Sequence, residues 1–115
     1  MAGIEQKSFA SPDEIRTPPK ARMEIVTLDG RPVVKATYSP GWRWSVDTAP
    51  VVGGDSCQLT HFAYVLSGRM RARLNDGAEM EAGPGDVVFI QPGHDGWTIG
   101  DEPCVILDFG GALNK

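Results

Sequence analysis

The sequence predicts an all-β domain, and three observations point to it. Fourteen glycines and nine prolines interrupt the 115-residue chain, which is typical of many short strands joined by tight turns. Between these interruptions, β-branched and alternating segments recur at the spacing found in sandwiches and barrels. No stretch of a dozen residues carries the apolar periodicity of a helix. We therefore expect an antiparallel sandwich or barrel without a long helix.

Length and charge narrow the class of protein. A chain of 115 residues is long enough for one domain with its own core. The net charge of -4 argues against nucleic acid as a partner, because an acidic surface repels phosphate. The longest apolar run, 62–66, is far shorter than the roughly 20 residues that cross a bilayer. The start of the chain lacks a basic region followed by an apolar one, so we expect a cytoplasmic protein with no membrane partner and with its two cysteines as free thiols.

The chain divides into an N-terminal arm, residues 1–21, and a β-domain, residues 22–115. Within the arm, the segment 11–14 reads Ser-Pro-Asp-Glu, which has the form of a helix start. The Thr-Pro-Pro segment at 17–19 then ends this helical turn. One turn is not stable alone, so we expect the arm to dock on its own domain or on that of a partner.

Nine strand patterns follow the arm, and turn signals separate them. The clearest hairpin signal is Asn75-Asp76-Gly77, because Asp-Gly supplies the positive φ of a primed turn. The predicted strands are 23–28, 33–38, 42–46, 58–66, 70–74, 79–82, 87–90, 97–99 and 104–109.

Two segments resemble the sequence motifs of the cupin family. The segment YVLSG at 64–68 closes a strand on a glycine turn and resembles the end of the first cupin motif. The segment GDVVFIQPGH at 85–94 resembles the second motif, in the order and at the separation that the family shows. The resemblance covers residues 37–109. It implies a small single-domain cupin, with a cupin-type antiparallel β-barrel (double-stranded β-helix or jelly roll) and a metal or small-molecule site at the barrel mouth.

The sequence departs from the set of metal ligands that is usual in the family. The family's usual set is His-x-His, three or four residues, then Glu, with a last histidine from the second motif. In this sequence His61 stands at the position of the Glu, and Asp55 and Cys57 stand near the two leading histidine positions. Gly96 stands at the position of the last histidine, and His94 lies two residues before it.

Three of these side chains, Cys57, His61 and His94, are nevertheless candidates for a metal site. Strand residues four apart point to the same side, so Cys57 and His61 can both face the interior, and His94 can enter from the neighbouring turn. Thiolate and imidazole ligands suit zinc, iron or copper, and nickel and manganese stay open. The alternative is structural: Cys57 as a small buried apolar residue, and each histidine satisfied by a neighbour, with no cofactor.

Aromatic residues near these motifs are candidates for ligand contacts. Trp42 and Trp44 are two apart and share one face of the predicted strand, where they either line a pocket or pack in a core or dimer contact. Trp97 follows the second motif and can close the barrel mouth. Tyr64 either brings its hydroxyl to the rim or belongs to an apolar packing face. We take Trp44, Tyr64 and Trp97 as the candidate ligand-binding residues.

The sequence leaves three functions open. The first is a metal-dependent enzyme of the oxygenase or isomerase type. The second is a metal-free module that binds a small molecule without chemistry. The third is a metal-free enzyme with His61 or His94 as general acid or base, although no carboxylate is visibly paired with either. The resemblance also implies a homodimer, to which the arm and the aromatic segment at Trp42 offer contacts.

Overall fold

The computed structural model of the chain describes residues 3–113. Its strands are β1 (Glu14–Arg16), β2 (Ala21–Leu28), β3 (Arg31–Tyr38), β4 (His61–Ser67), β5 (Arg69–Leu74), β6 (Glu79–Ala82), β7 (Val87–Ile90), β8 (His94–Ile99) and β9 (Cys104–Asp108). A π-helical turn (Trp44–Thr48), α1 (Ala49–Val52) and α2 (Gly110–Leu113) complete the secondary structure. None of the helices in the described range has the length and apolar character needed to cross a membrane.

Two antiparallel sheets enclose the core. The larger sheet has the order β1-β2-β3-β9-β4-β7, and the smaller has the order β6-β5-β8. Both sheets contribute alternate residues to one apolar cluster: Ala36, Ala63, Val65, Met70, Ala72, Ala82, Val88, Ile90, Cys104 and Ile106. Within residues 3–113 the two sheets are not joined into one hydrogen-bonded cylinder. The all-β, jelly-roll expectation is thus confirmed as two facing sheets.

The turn between β4 and β5 shows why one glycine is required. Gly68 has a φ of +74°, a conformation that disfavours residues with a β-carbon. A β-carbon there would overlap the Pro103 carbonyl oxygen and lie 2.7 Å from the Cys104 α-carbon. The turn can therefore pack directly against the start of β9, which aligns β4 beside β9.

The helix predicted to start at Ser11 is wrong, because β1 forms there as an edge strand. Glu14 pairs with Ile25 of β2 in an antiparallel register. The Asp13 carboxylate accepts a hydrogen bond at 2.9 Å from the backbone N–H of Thr27, so it satisfies a strand donor instead of capping a helix. The arm, in its described part, therefore docks on its own chain.

The boundary predicted between residues 21 and 22 stays a prediction, although β2 begins at Ala21. Residues 1, 2, 114 and 115, which belong to the predicted arm and domain, lie outside the described residues.

The strand predicted at 42–46 is also wrong. The π-helical turn replaces it, and both Trp42 and Trp44 are buried at 7% exposure. The Trp42 indole N–H donates to Thr48 Oγ1 at 3.0 Å, and the Asp47 carboxylate accepts from the Arg43 backbone N–H at 2.9 Å. The helical turn buries both indoles and satisfies these polar groups locally. Two tryptophans two residues apart can therefore both be buried without forming a strand.

Candidate metal centre

The three residues predicted as metal ligands lie together in the structure. Cys57 Sγ is 3.6 Å from His61 Nε2. The rings of His61 and His94 have centroids 4.9 Å apart and meet edge to face at 70°. Their donor atoms, one from each of the three residues, all lie within 4.8 Å of one another. Residues from three separate segments thus converge on one point.

Backbone hydrogen bonds hold these segments in place. The Cys57 N–H donates to the His94 carbonyl at 2.7 Å, and the Gly93 N–H donates to the Cys57 carbonyl at 2.7 Å. His94 is the first residue of β8 and pairs with Leu74 of β5. His61 is the first residue of β4, in the other sheet. The cluster therefore sits where the two sheets approach each other at the ends of their strands.

Each histidine uses its Nδ1 atom in a structural hydrogen bond. His61 Nδ1 donates to the Asp108 carboxylate at 2.5 Å, and His94 Nδ1 donates to the Gln91 carbonyl at 2.8 Å. Such partners fix the orientation and the tautomer of an imidazole. The Nε2 atom of each ring is therefore the nitrogen left to serve as a ligand or as a base.

Asp108 is a site residue that the sequence reasoning missed. It is buried at 9% exposure, and its second carboxylate oxygen accepts from the Gly110 N–H at 2.8 Å. Its position in β9 shares the inward face with Cys104 and Ile106. A carboxylate on the buried face of an apolar strand needs a partner, and that was the signal available in the sequence.

The cysteine and the first histidine shift each other's ionisation. Burial alone raises the pKa of the Cys57 thiol, but hydrogen bonds with His61 and His94 outweigh burial and lower the pKa to about 6. Burial lowers the pKa of His61, but the bonds to Asp108 and Cys57 outweigh it and raise the pKa to about 9. The metal-free site therefore favours a thiolate beside an imidazolium at neutral pH.

The donor set fits a transition-metal ion. One thiolate and two imidazoles are ligands that zinc, iron and copper accept. Bond lengths of roughly 2.0–2.3 Å in a tetrahedral shell place neighbouring donors about 3.5 Å apart, close to the 3.6 Å between Cys57 and His61. Asp55, near one family ligand position, is exposed and is not part of the group.

Tyr38 is a second residue near the site that the sequence reasoning missed. Its ring lies 4.1 Å from that of Trp42, centroid to centroid, at the junction of the two apolar clusters. Burial, followed by the negative charges of Asp108 and Cys57, raises the pKa of Tyr38 above its ordinary value. Its hydroxyl therefore stays protonated and can donate a hydrogen bond within the interior.

The three predicted ligand-binding residues are placed differently from one another. Trp44 packs in one buried cluster with Trp42 and Cys57. Tyr64 and Trp97 are not brought to the site, because each alternates with inward-facing neighbours and points to the outer face of its strand. The Trp97 ring is instead covered by the Arg43 guanidinium at 4.2 Å, a cation–π contact.

Access to the group is restricted. Cys57 and His94 are each only 4% exposed, whereas the His61 side chain is 18% exposed. A cavity of about 190 Å³ near β5, β6 and β7 is lined by residues such as Leu74 and Met80 and by none of the three donors. A ligand would therefore approach past His61.

Comparison with known families identifies the class of protein. Residues 57–110 match the model of the cupin domain family, and this segment holds all three donors and Asp108. Over that segment, which is 54 of the 115 residues, the chain is similar to cupin domains. No curated protein matches the sequence.

Solved structures share the fold. A protein of unknown function from Rhizobium leguminosarum bv. viciae 3841 is 18% identical with a TM-score of 0.64, over 94% of this chain and 98% of that one. The polyketide cyclase RemF from Streptomyces resistomycificus is 22% identical with a TM-score of 0.59, over 91% and 77%. The oxalate decarboxylase of Lactobacillus farciminis, in its formate complex, is 16% identical with a TM-score of 0.64, over 97% of this chain and 35% of that chain. At these identities the likeness establishes the fold.

Proposed function

We propose that this cupin domain holds one transition-metal ion between Cys57, His61 and His94 and presents it to a small molecule. The observation that carries the proposal is the convergence of three donor atoms within 4.8 Å, two of them from histidines whose other nitrogen is already bonded. The chain has only two histidines, and both belong to this group. Zinc, iron, copper, nickel and manganese are the candidate ions.

The surrounding residues have distinct roles in this function. Asp108 orients His61 and increases the basicity of its free nitrogen. Trp44 and Trp42 pack against Cys57 and exclude water from the sulfur. A bound ion supplies Lewis acidity or activates oxygen, which is the chemistry of an oxygenase or isomerase.

The small molecule would meet the site on the side of His61, the most exposed of the three donors. Tyr38, which packs against the cluster that contains Cys57, is the candidate residue to donate a hydrogen bond to an oxygen of that molecule. A cytoplasmic location, which is still a prediction, would keep the Cys57 thiol reduced and available.

Metal content tests the proposal. Tag-free protein is stripped with a chelator, dialysed against each of the five ions separately, and measured by elemental analysis. We expect about one ion per chain for at least one metal, and loss of that ion in Cys57→Ala, His61→Ala and His94→Ala. Cys104→Ala is the matched control, because Cys104 is also a buried free thiol but lies outside the group. Absence of binding for all five ions would contradict the proposal.

A second candidate function rests on the alignment of Cys57, His61 and Asp108. A thiol beside an imidazole that a carboxylate orients is the arrangement of an activated nucleophile. In this function the Cys57 thiolate attacks an electrophilic carbon and displaces its leaving group, while protonated His61 gives that group a proton. The pairing of His61 with a carboxylate, which the sequence did not reveal, favours this function over a passive binding module.

Alkylation of metal-free protein tests the second function. After treatment with iodoacetamide at neutral pH, we expect mass spectrometry to show modification of Cys57 well before any modification of Cys104, because burial raises the pKa of the Cys104 thiol to about 11. His61→Ala should slow the modification at least about tenfold. Rapid alkylation together with no affinity for any of the five metals would favour the nucleophile, and slow alkylation that His61→Ala leaves unchanged would exclude it.

A further inference from the structure

The cavity of about 190 Å³ beside β5, β6 and β7 opens between the edges of the two sheets, and we call it the seam cavity. It lies between β6, an edge strand of the smaller sheet, and β7, an edge strand of the larger sheet. Concave, mostly apolar surfaces are typical of sites that bind small molecules. Apolar residues make up most of the wall of this one: Ala72, Leu74, Ala78, Met80, Phe89 and Ile90.

The seam cavity backs onto the two histidines of the donor group. Ile90 of its wall lies opposite His61 in the β4–β7 register, and Leu74 lies opposite His94 in the β5–β8 register. Directly opposed side chains share one side of a sheet and are within contact range. Gln91, which also lines the cavity, accepts the hydrogen bond from His94 Nδ1 through its carbonyl at 2.8 Å. A molecule in the cavity would therefore be one layer of side chains away from both imidazoles.

The charges at the seam cavity favour an uncharged ligand. Its two charged wall residues, Arg73 and Glu79, form an ion pair with each other at 3.7 Å, and their side chains are 57% and 35% exposed. They are therefore solvated and neutralise each other. A charged ligand would lose hydration in the cavity without gaining an unpaired counter-charge, and that loss is costly.

The volume of the seam cavity sets the size of the ligand. An apolar cavity of roughly 150 Å³ is large enough to bind benzene, so about 190 Å³ holds one ring with a small substituent, or a short branched chain. Met80 allows some adjustment around such a molecule, because an unbranched thioether side chain adapts to irregular shapes.

We infer that the seam cavity binds an uncharged, mainly apolar molecule of about the size of one ring. This names the class of small molecule that the Cys57, His61 and His94 site would act on. The inference rests on the proposed function for the reaction of that molecule, and on the cavity alone for its binding.

Proton NMR of the metal-free protein tests the inference, with toluene and benzoate as the probes. The two probes share one ring, and only benzoate is charged. The chain has only two histidines, so their ring signals report directly on the donor group. We expect toluene to shift the ring signals of both histidines and to saturate with a dissociation constant of about 1 mM or lower. Benzoate should bind at least about tenfold more weakly.

A variant that fills the opening of the cavity gives a second test. Ala78 is exposed and lines the cavity, so Ala78→Phe can occupy the opening without disturbing the core. It should raise the dissociation constant of toluene at least about tenfold. Ala10→Phe is the matched control, because Ala10 is also an exposed alanine but lies outside the wall, and it should bind toluene like the wild type.

Three results would overturn the inference. They are toluene binding that does not saturate or leaves the histidine signals unshifted, benzoate binding as tight as that of toluene, and an Ala78→Phe variant that binds toluene like the wild type. Circular dichroism checks that this variant is folded, and the comparison of the two probes in the wild type needs no variant. Failure of metal binding would contradict the proposed function and leave these results unchanged, because they are measured without metal.

Discussion

Asp108 Oδ2 lies 2.5 Å from His61 Nδ1, although the two residues are 47 positions apart in the chain. The pairing of β9 beside β4, which puts Asp108 opposite Ala63, brings the carboxylate under the imidazole. The other Asp108 oxygen is held by the Gly110 N–H, so the carboxylate is fixed before any ligand arrives. The pairing of β4 with β9 therefore sets the orientation of the His61 ring.

Replacing this carboxylate should weaken metal binding without unfolding the protein. Asp108→Asn keeps the shape of the side chain and removes its charge. We expect a loss of about 10- to 100-fold in metal affinity, the usual effect of removing a partner that orients a ligating histidine. A competitive titration against a chromophoric chelator measures it.

A second aspartate serves as the control for that experiment. Asp95 is also partly buried and hydrogen-bonded, to Arg43 at 3.0 Å and to Ser45 at 2.7 Å, but it is not part of the donor group. Asp95→Asn should leave the metal affinity unchanged. Equal metal affinities for Asp108→Asn and the wild type would show that Asp108 does not affect how His61 binds the ion.

The Asp95 contacts should stabilise the fold in a pH-dependent way. Partial burial raises the pKa of Asp95, but the hydrogen bonds from Ser45, Gly96 and Arg43 outweigh it and lower the pKa below its ordinary value of 3.8. A carboxyl group whose pKa is lowered by folding stabilises the folded state fully at any pH above its unfolded-state pKa. This stabilisation is lost as the pH falls through the lower pKa of the folded state. We expect the wild type to exceed Asp95→Asn by about 1 kcal/mol at neutral pH.

Urea denaturation at a series of pH values checks this. The difference in unfolding free energy between the wild type and Asp95→Asn should be constant from pH 7 to about 5 and should shrink below about pH 4. A difference that grows as the pH falls would have the wrong sign for a lowered pKa.

The turn at Gly68 should tolerate no side chain. Gly68→Ala adds a β-carbon that overlaps the backbone of Pro103, and backbone cannot swing aside as a flexible side chain can. We expect a loss of at least about 3 kcal/mol in unfolding free energy. Gly77→Ala separates strain from overlap, because Gly77 has a φ of +96° with nothing within 4 Å of an added β-carbon.

The control variant Gly77→Ala should lose only about 1 kcal/mol of unfolding free energy, because it introduces backbone strain without overlap. Urea unfolding of both variants gives the comparison. Similar losses for Gly68→Ala and Gly77→Ala would show that the contact with Pro103 relaxes at little cost.

Much of the fold could be predicted from local sequence signals. The glycine turns and the short apolar runs of β4, β7 and β9 are read from a few adjacent residues, and Cys57, His61 and His94 were found by their spacing to the two cupin motifs. The three residues converge as expected, but not through the predicted strand, because β4 begins only at His61. Cys57 lies before β4 and pairs with His94 in an isolated bridge.

What the sequence concealed depends on contacts between distant segments. Asp108 is a site residue only because β9 pairs with β4, and no local pattern states that pairing. The segment at Trp42 was wrongly predicted as a strand, since a spacing of two between buried indoles also suits the helical turn that forms. Tyr64 points away from the site because alternate residues of a strand face opposite sides of the sheet. An error of one residue in the predicted strand position would reverse that assignment.

Cobalt(II) titration followed by absorption spectroscopy tests the central claim most directly, because a bound thiolate gives a sulfur-to-metal charge-transfer band. We expect chelator-stripped protein to develop this band and to saturate at about one ion per chain. Cys104→Ser should keep the band, and Cys57→Ser should lose it. A wild-type spectrum without the band, or a band that persists in Cys57→Ser, would contradict a metal held by Cys57, His61 and His94.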